Sequence, residues 1–241
     1  MRYGIFSDIH SNLEALKGVL EAYKKEQVDR LLCVGDIVGY GANPKECIDI
    51  IRDQNITSVA GNHDWGVTDK FSIDYFNPYA KEAVVWTRKA IDMEDSTYLN
   101  NLNLIFDDDD FCLVHGALSS PDSFSYIFSL SEANLSFKHM QASVCFIGHT
   151  HVPITFEKEK ENISYTKSYD IDIDPDKKYI INVGSVGQPR DNNPDACFSI
   201  YDTVEKNVKI KRISYDIKKA QRKIIEFGLP SFLAMRLGIG Q

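Results

Sequence analysis

Apolar residues come in short blocks along this chain, and polar, chemically active residues gather where the blocks end. Residues 2 to 7 read as a strand that delivers Asp8 and His10 at its end. Leu13, Leu16, Leu20 and Tyr23 then repeat at helical intervals, and Ser11 with Glu14 has capping-box spacing. A second strand, Leu31 to Val34, runs into Gly35-Asp36. Asn43-Pro44 is a cap-then-proline helix start, with Ile48 and Ile51 as the inner face. A third strand, Ile56 to Ala60, ends in Gly61-Asn62-His63-Asp64, read as a loop. Strand, helix, strand, helix, strand favours a parallel sheet with right-handed crossovers. Open α/β sheets place their chemistry at the carboxyl ends of such strands.

The rhythm then changes. Trp65, Phe71, Tyr75, Phe76 and Tyr79 crowd residues 65–80, a stretch with little periodicity that reads as a loop. Asn77-Pro78 opens a helix with Tyr79, Ala83, Trp86 and Ala90 on one face, and a short helix near Asp95 to Leu102 follows. Asp107 to Asp110 reads as a solvated turn. Phe111 to Val114 runs into His115-Gly116, residues 117–130 read as a long loop, and Val144 to Ile147 ends in Gly148-His149-Thr150-His151. Strand-like pieces near 153–157, 162–169, 178–183, 196–202 and 207–213 predict a second, mostly antiparallel sheet or sheet half. Ile217, Ala220, Ile224 and Phe227 mark a C-terminal helix, and Pro230 starts a last short one. No repeat, low-complexity tract or linker divides the chain, so residues 1–241 are expected to form a single domain.

Composition narrows the function classes. The chain has 241 residues, 43% of them hydrophobic, enough for a sizeable core. A net charge of −8 argues against a broad nucleic-acid or anionic-membrane footprint. There is no run of about 18 apolar residues, so no membrane-spanning helix is expected, and the N-terminus lacks a signal-peptide layout. The five cysteines form no Cys-x-x-Cys pair, and four lie inside apolar runs. Reduced thiols acting as small core residues fit that usage, and with it a cytoplasmic location.

Five of the six histidines, His10, His63, His115, His149 and His151, fall at strand ends beside Gly, Asp or Asn. Singly, each reads as a hydrogen-bonded or surface residue. Together with Asp8, Asp36 and Asn62 they offer nitrogen and oxygen donors without a thiolate. That mixture suits manganese, iron, zinc or nickel better than calcium or magnesium. The candidate ligands outnumber what one ion needs, so two ions sharing a carboxylate is the economical arrangement.

Asp8-x-His10, Gly35-Asp36, Gly61-Asn62-His63-Asp64, His115 after an apolar strand, and Gly148-His149-x-His151 resemble, in family order, the five motifs of the calcineurin-like metallophosphoesterases. The resemblance spans residues 8 to 151. It implies an α/β fold, a four-layer αββα sandwich of two mixed sheets flanked by helices. It also implies a dinuclear centre, manganese favoured, at which a metal-bridging hydroxide attacks phosphorus. On the family pattern Asp8, His10 and His151 hold one metal, Asn62, His115 and His149 the other, and Asp36 bridges them. The histidine matching His63 is not a ligand; it faces the substrate and acts on the leaving oxygen. Asp64 either orients His63 or caps backbone.

Protein serine/threonine phosphatases of this superfamily carry Gly-Asp-x-x-Asp-Arg-Gly at the second motif. Here Gly39 and Tyr40 replace the second Asp and the Arg. The departure resembles the small prokaryotic phosphodiesterase-type branch, as does the glycine-serine stretch Asn182 to Asp191. Tyr40, Asn62, His63 and Arg190 are the candidate substrate contacts, with a salt bridge from Arg190 to Asp191 as the competing reading. The aromatics of 65–80 with Phe124, Tyr126 and Phe128 either stack a nucleobase or pack the loops down. The expected function is a metal-dependent phosphohydrolase acting on phosphodiesters or small nucleotide-like phosphates, with no membrane or nucleic-acid partner. A non-catalytic metal-binding scaffold on the same fold and a phosphoprotein phosphatase stand as alternatives.

Overall fold

The computed structural model describes residues 1–241. Its first part alternates β1 (Arg2–Phe6), α1 (Leu13–Glu26), β2 (Arg30–Cys33), α2 (Pro44–Asp53) and β3 (Thr57–Ser58). Three helices follow, α3 (Asn62–Val67), α4 (Pro78–Ala90) and α5 (Met93–Asn100). Then come β4 (Ile105–Asp107), β5 (Phe111–Val114), α6 (Leu130–Phe137), β6 (Val144–Ile147), β7 (Ile154–Glu159), β8 (Asn162–Thr166) and β9 (Asp170–Asp172). The chain closes with β10 (Lys178–Asn182), β11 (Ala196–Asp202), β12 (Asn207–Ile213), α7 (Ile217–Glu226) and α8 (Ser231–Leu237).

Two six-stranded mixed sheets result, in the orders β3-β2-β1-β11-β12-β9 and β4-β5-β6-β10-β7-β8. Strand alternation builds the layers. Ile5, Leu32, Leu113, Phe146, Ile181 and Val208 point between the sheets into one shared core. Their neighbours Phe6 and Cys33 point outward onto Leu16 and Val19 of α1 and Ile48 and Ile51 of α2. Cys112, Val114, Cys145 and Ile147 point the other way, onto Ala133 and Phe137 of α6. Helix, sheet, sheet, helix is the four-layer arrangement expected. All five cysteines are buried and free, and no helix is long and apolar enough to cross a membrane.

The late strands make mostly antiparallel sheet halves, the second of the two expected forms, and not a sheet of their own. β11, β12 and β9 complete the first sheet, while β10, β7 and β8 complete the second. The piece expected at 162–169 is broken after Thr166, and β9 pairs with β12 across the sandwich. The local pattern of a strand says which residues face inward but not which sheet it joins. At the start of α1 the cap is Asn12, whose Oδ1 accepts from Ala15 N at 3.2 Å; Ser11 is not the cap residue. The third strand keeps only two paired residues, extended by a bridge from Val59 to Asn103.

Topology sets the site. β1, β2 and β3 run parallel, and so do β5, β6 and β10. Every motif noted in the sequence follows the carboxyl end of one of these six strands, the position where α/β sheets gather their chemistry.

Candidate metal centre

The loops beyond these strands are laced together by backbone. Asp8 N donates to Gly35 O at 3.0 Å, His10 N to Asp36 O at 3.0 Å, Gly148 N to His115 O at 3.0 Å and Gly187 N to Asp8 O at 2.8 Å. Asp8, His10, Asp36, His149 and His151 hold left-handed backbone, with φ of 55°, 48°, 53°, 68° and 62°. Such conformations are disfavoured for residues with side chains and persist where surrounding structure enforces them.

The side chains converge. Asp8, His10 and His151 place donor atoms within 4.8 Å of one another, and so do Asp36, His115 and His149. Asp36 faces both groups: its Oδ2 lies 3.5 Å from His10 Nε2 and 3.2 Å from His115 Nε2. Asp8 Oδ1 lies 3.1 Å from His151 Nε2. The Nδ1 atoms of three ligand-candidate rings face main-chain carbonyls: His10 faces Val38 O at 3.1 Å, His115 faces Val34 O at 2.7 Å and His151 faces Gln188 O at 2.6 Å. A proton held at Nδ1 leaves Nε2 with a lone pair, the tautomer a metal ligand needs. His10 Nε2 and His151 Nε2 then face each other at 3.0 Å as two acceptors, an arrangement that a shared cation accounts for and a hydrogen bond does not. Sequence reasoning had no access to these carbonyl partners, because any residue carries a carbonyl.

Burial completes the test of fit. Asp8 Oδ1, Asn62 Oδ1 and His115 Nε2 are buried without a hydrogen-bond partner, and such groups are rare unless something else satisfies them. Burial opposes charge on Asp8 and Asp36, yet the surrounding imidazoles hold both carboxyls below their ordinary range. Burial pushes His149 down, and burial with the Arg190 charge pushes His151 down to about 3. Burial opposes a proton on His115 too, but Asp36 and Asp8 outweigh it and raise the ring to about 9. Anionic carboxylates beside neutral imidazoles are a cation's donor set, and a proton on His115 is one a metal would displace. The residues present fit bound metal.

His63 sits beside this set. Its ring packs at 4.8 Å from His10, 4.5 Å from Tyr40 and 4.9 Å from Phe76, centroid to centroid. Its backbone N donates to Asp36 Oδ1 at 2.8 Å. A Cβ on Gly39 would stand 2.4 Å from His63 Nδ1, and Gly39 has φ +100°, which is why no Asp stands at that position. Burial pushes the His63 imidazole down to about 3.

Two sequence readings need correction. Gly61 to Asp64 is not a free loop: α3 begins at Asn62. Asp64 does not orient His63. Its Oδ1 accepts from Val38 N at 3.1 Å and its Oδ2 from Gly61 N at 3.0 Å, so it ties the second motif to the third as a backbone cap. Burial and the Asp36 charge raise its carboxyl to about 7.

Arg190 is not paired with Asp191, which binds Arg212 instead. Its Nη2 donates to Gln188 Oε1 at 3.0 Å and to the Tyr40 hydroxyl at 3.3 Å. Its cation therefore lies among neutral partners at the edge of the site. Tyr126, noted in sequence only as one aromatic among several, stacks on His149 at 3.8 Å and 14°. Nothing in its spacing announced that contact.

A model of the calcineurin-like phosphoesterase superfamily domain matches residues 1–206. The uncharacterized protein MJ0912 of Methanocaldococcus jannaschii is 42% identical over 241 residues, covering 98% of this chain and 97% of that one. Among solved structures, a metallophosphoesterase from Sphaerobacter thermophilus superposes with a TM-score of 0.88 at 38% identity, covering 100% of this chain and 99% of that one. The hypothetical protein PH1004 from Pyrococcus horikoshii OT3 superposes with a TM-score of 0.81 at 19% identity, over 100% and 98% of the two chains. At that identity the likeness is one of fold.

Proposed function

This chain belongs to the calcineurin-like phosphoesterase superfamily, a family of metal-dependent phosphoesterases, and from that premise we propose that it is a dinuclear phosphohydrolase acting on phosphodiesters or small nucleotide-like phosphates. One observation carries the reading: two triads, Asp8/His10/His151 and Asp36/His115/His149, converge in a buried site, with Asp8 Oδ1, Asn62 Oδ1 and His115 Nε2 unpartnered. When bound, two divalent ions supply positive charge for the phosphoryl oxygens and acidify the attacking water. Asp8, His10 and His151 would hold one ion, Asn62, His115 and His149 the other, and Asp36 both. Nitrogen and oxygen donors without thiolate suit manganese, iron, zinc or nickel, with manganese favoured.

The chain's own groups complete the chemistry. The carbonyls of Val34, Val38 and Gln188 lock the ligand tautomers, so the imidazoles present lone pairs without rearrangement. His63 is clamped between His10, Tyr40 and Phe76 and serves the leaving oxygen by hydrogen bonding from its neutral ring. Arg190 offers guanidinium N–H groups to a non-bridging phosphate oxygen, steadied by Tyr40 and Gln188. Gly39 and Tyr40 occupy the places where protein phosphatases of the superfamily carry Asp and Arg, which favours small esters over phosphoproteins.

The test is turnover of bis-p-nitrophenyl phosphate. Purified protein with added manganese is expected to hydrolyse it, to fall to background with a chelator, and to recover on re-addition of metal. Silence with every divalent ion tried contradicts the enzyme reading and favours a metal-binding scaffold.

A further inference from the structure

Beside the metal centre lies a concave pocket of about 330 Å³, within the size range of small-molecule sites. Asn62, His63 and His149 line it together with the aromatic rings of Tyr40, Phe71, Phe76 and Tyr126. The buried part of that aromatic wall is explained by packing: Phe71 meets Phe124 edge-on at 5.1 Å and Phe76 at 6.2 Å. At the rim Tyr126, 43% exposed, is packed on His149 at 3.8 Å, whereas Tyr75 lines the pocket while 96% exposed. Phe128, 63% exposed, backs Tyr126 in a 5.1 Å stack. A flat ring left open to solvent beside a reactive centre, as Tyr75 is, contributes nothing to the core and offers a face for stacking.

Polar edges accompany the flat faces. Asn77 caps α4 through its Oδ1, which accepts from Ala80 N at 3.0 Å, so its amide N–H groups stay free to donate into the pocket. Ser123 adds a hydroxyl to the lining. Faces for stacking together with side-chain donors and an acceptor match a planar ring that itself carries hydrogen-bonding edges. An alkyl chain leaves the donors and the acceptor unused. The position also fixes which part of the ester enters. His63, assigned above to the leaving oxygen, touches Phe76 of the pocket wall at 4.9 Å.

We propose that this pocket, walled by Phe71, Tyr75, Phe76 and Tyr126 with Asn77 and Ser123 at its edges, seats the nucleobase of a nucleotide substrate on the leaving-group side of the metal centre. The proposal rests on the phosphohydrolase reading for its orientation, but base binding can be measured without turnover.

Adenosine 5′-monophosphate and ribose 5-phosphate share a sugar and a phosphate and differ by the base alone. Their dissociation constants are measured by calorimetry on manganese-loaded protein, with a product assay separating any hydrolysis, for the native chain and for Tyr75→Ala. Tyr75 is exposed, so its removal leaves the fold intact. The nucleotide is expected to bind about tenfold tighter than the sugar phosphate, the scale of one base stacked on an aromatic ring. In Tyr75→Ala the gap is expected to shrink to within about threefold, whereas a purely structural role would move both constants together. Equal constants in the native chain, or the same gap in both proteins, overturns the pocket. A base preference retained by a chain that hydrolyses no ester supports the pocket and overturns the catalytic reading instead.

Discussion

Asp36→Asn is expected to lower kcat on an activated phosphodiester by about a thousandfold or more, the scale of losing a preorganised charge at the reacting centre. Asp36 is the carboxylate that faces both triads, at 3.5 Å from His10 Nε2 and 3.2 Å from His115 Nε2. Asparagine keeps an Oδ1 to accept from His63 N, the bond now 2.8 Å long, and so spares the fold while removing the shared anion. Alanine would remove both and confuse the two effects. The same variant is expected to bind less metal and to lose most of the rise in Tm that added manganese gives the native protein, because a ligand stabilises the folded chain only as far as it binds it. Far-UV circular dichroism and metal analysis accompany the kinetics. Native-like turnover in Asp36→Asn would remove Asp36 from the centre of the account.

His63→Ala is expected to do the converse: unchanged metal content, with kcat down by about a hundredfold to a thousandfold, the usual weight of one positioned hydrogen-bond donor. The ring contributes no structural hydrogen bond, for its Nδ1 is buried and unpartnered, and the contact that ties this position to Asp36 comes from the backbone, which alanine retains. What the ring does have is a fixed aim, held by His10, Tyr40 and Phe76. The structure makes this experiment sharper than the sequence did, because His10, Asp36 and His63 also bring donor atoms within 4.8 Å. If His63→Ala strips metal along with activity, His63 is a ligand and its assignment to the leaving oxygen is wrong.

Much of the site was legible because chemistry and local pattern coincided. Apolar runs such as Phe111 to Val114 and Val144 to Ile147 end in polar residues too expensive to bury without purpose, and strand ends are where a parallel sheet collects them. What the sequence did not show was non-local. The long sheet-order jump that carries β11 and β12 across to β1 leaves no trace in their own alternation. The left-handed backbone at Asp8, His10 and Asp36 is imposed by cross-loop bonds between distant residues. Asp64 reads equally as a cap or as a partner for His63 until Val38 N and Gly61 N are seen to claim both its oxygens. The helix α6 was a different kind of miss. Ser129 and Glu132 form a reciprocal cap, a signal present in the sequence, but the eight residues that follow have weak periodicity, and beyond Leu130 they fall outside every element read from the sequence.

Whether two cations share Asp36 can be read from anomalous diffraction of crystals grown with manganese. Two adjacent peaks are expected, one bound by Asp8, His10 and His151, the other by Asn62, His115 and His149, with Asp36 contacting both and His63 neither. A single peak, or a pair whose ligands include His63 in place of Asn62, would contradict that sharing.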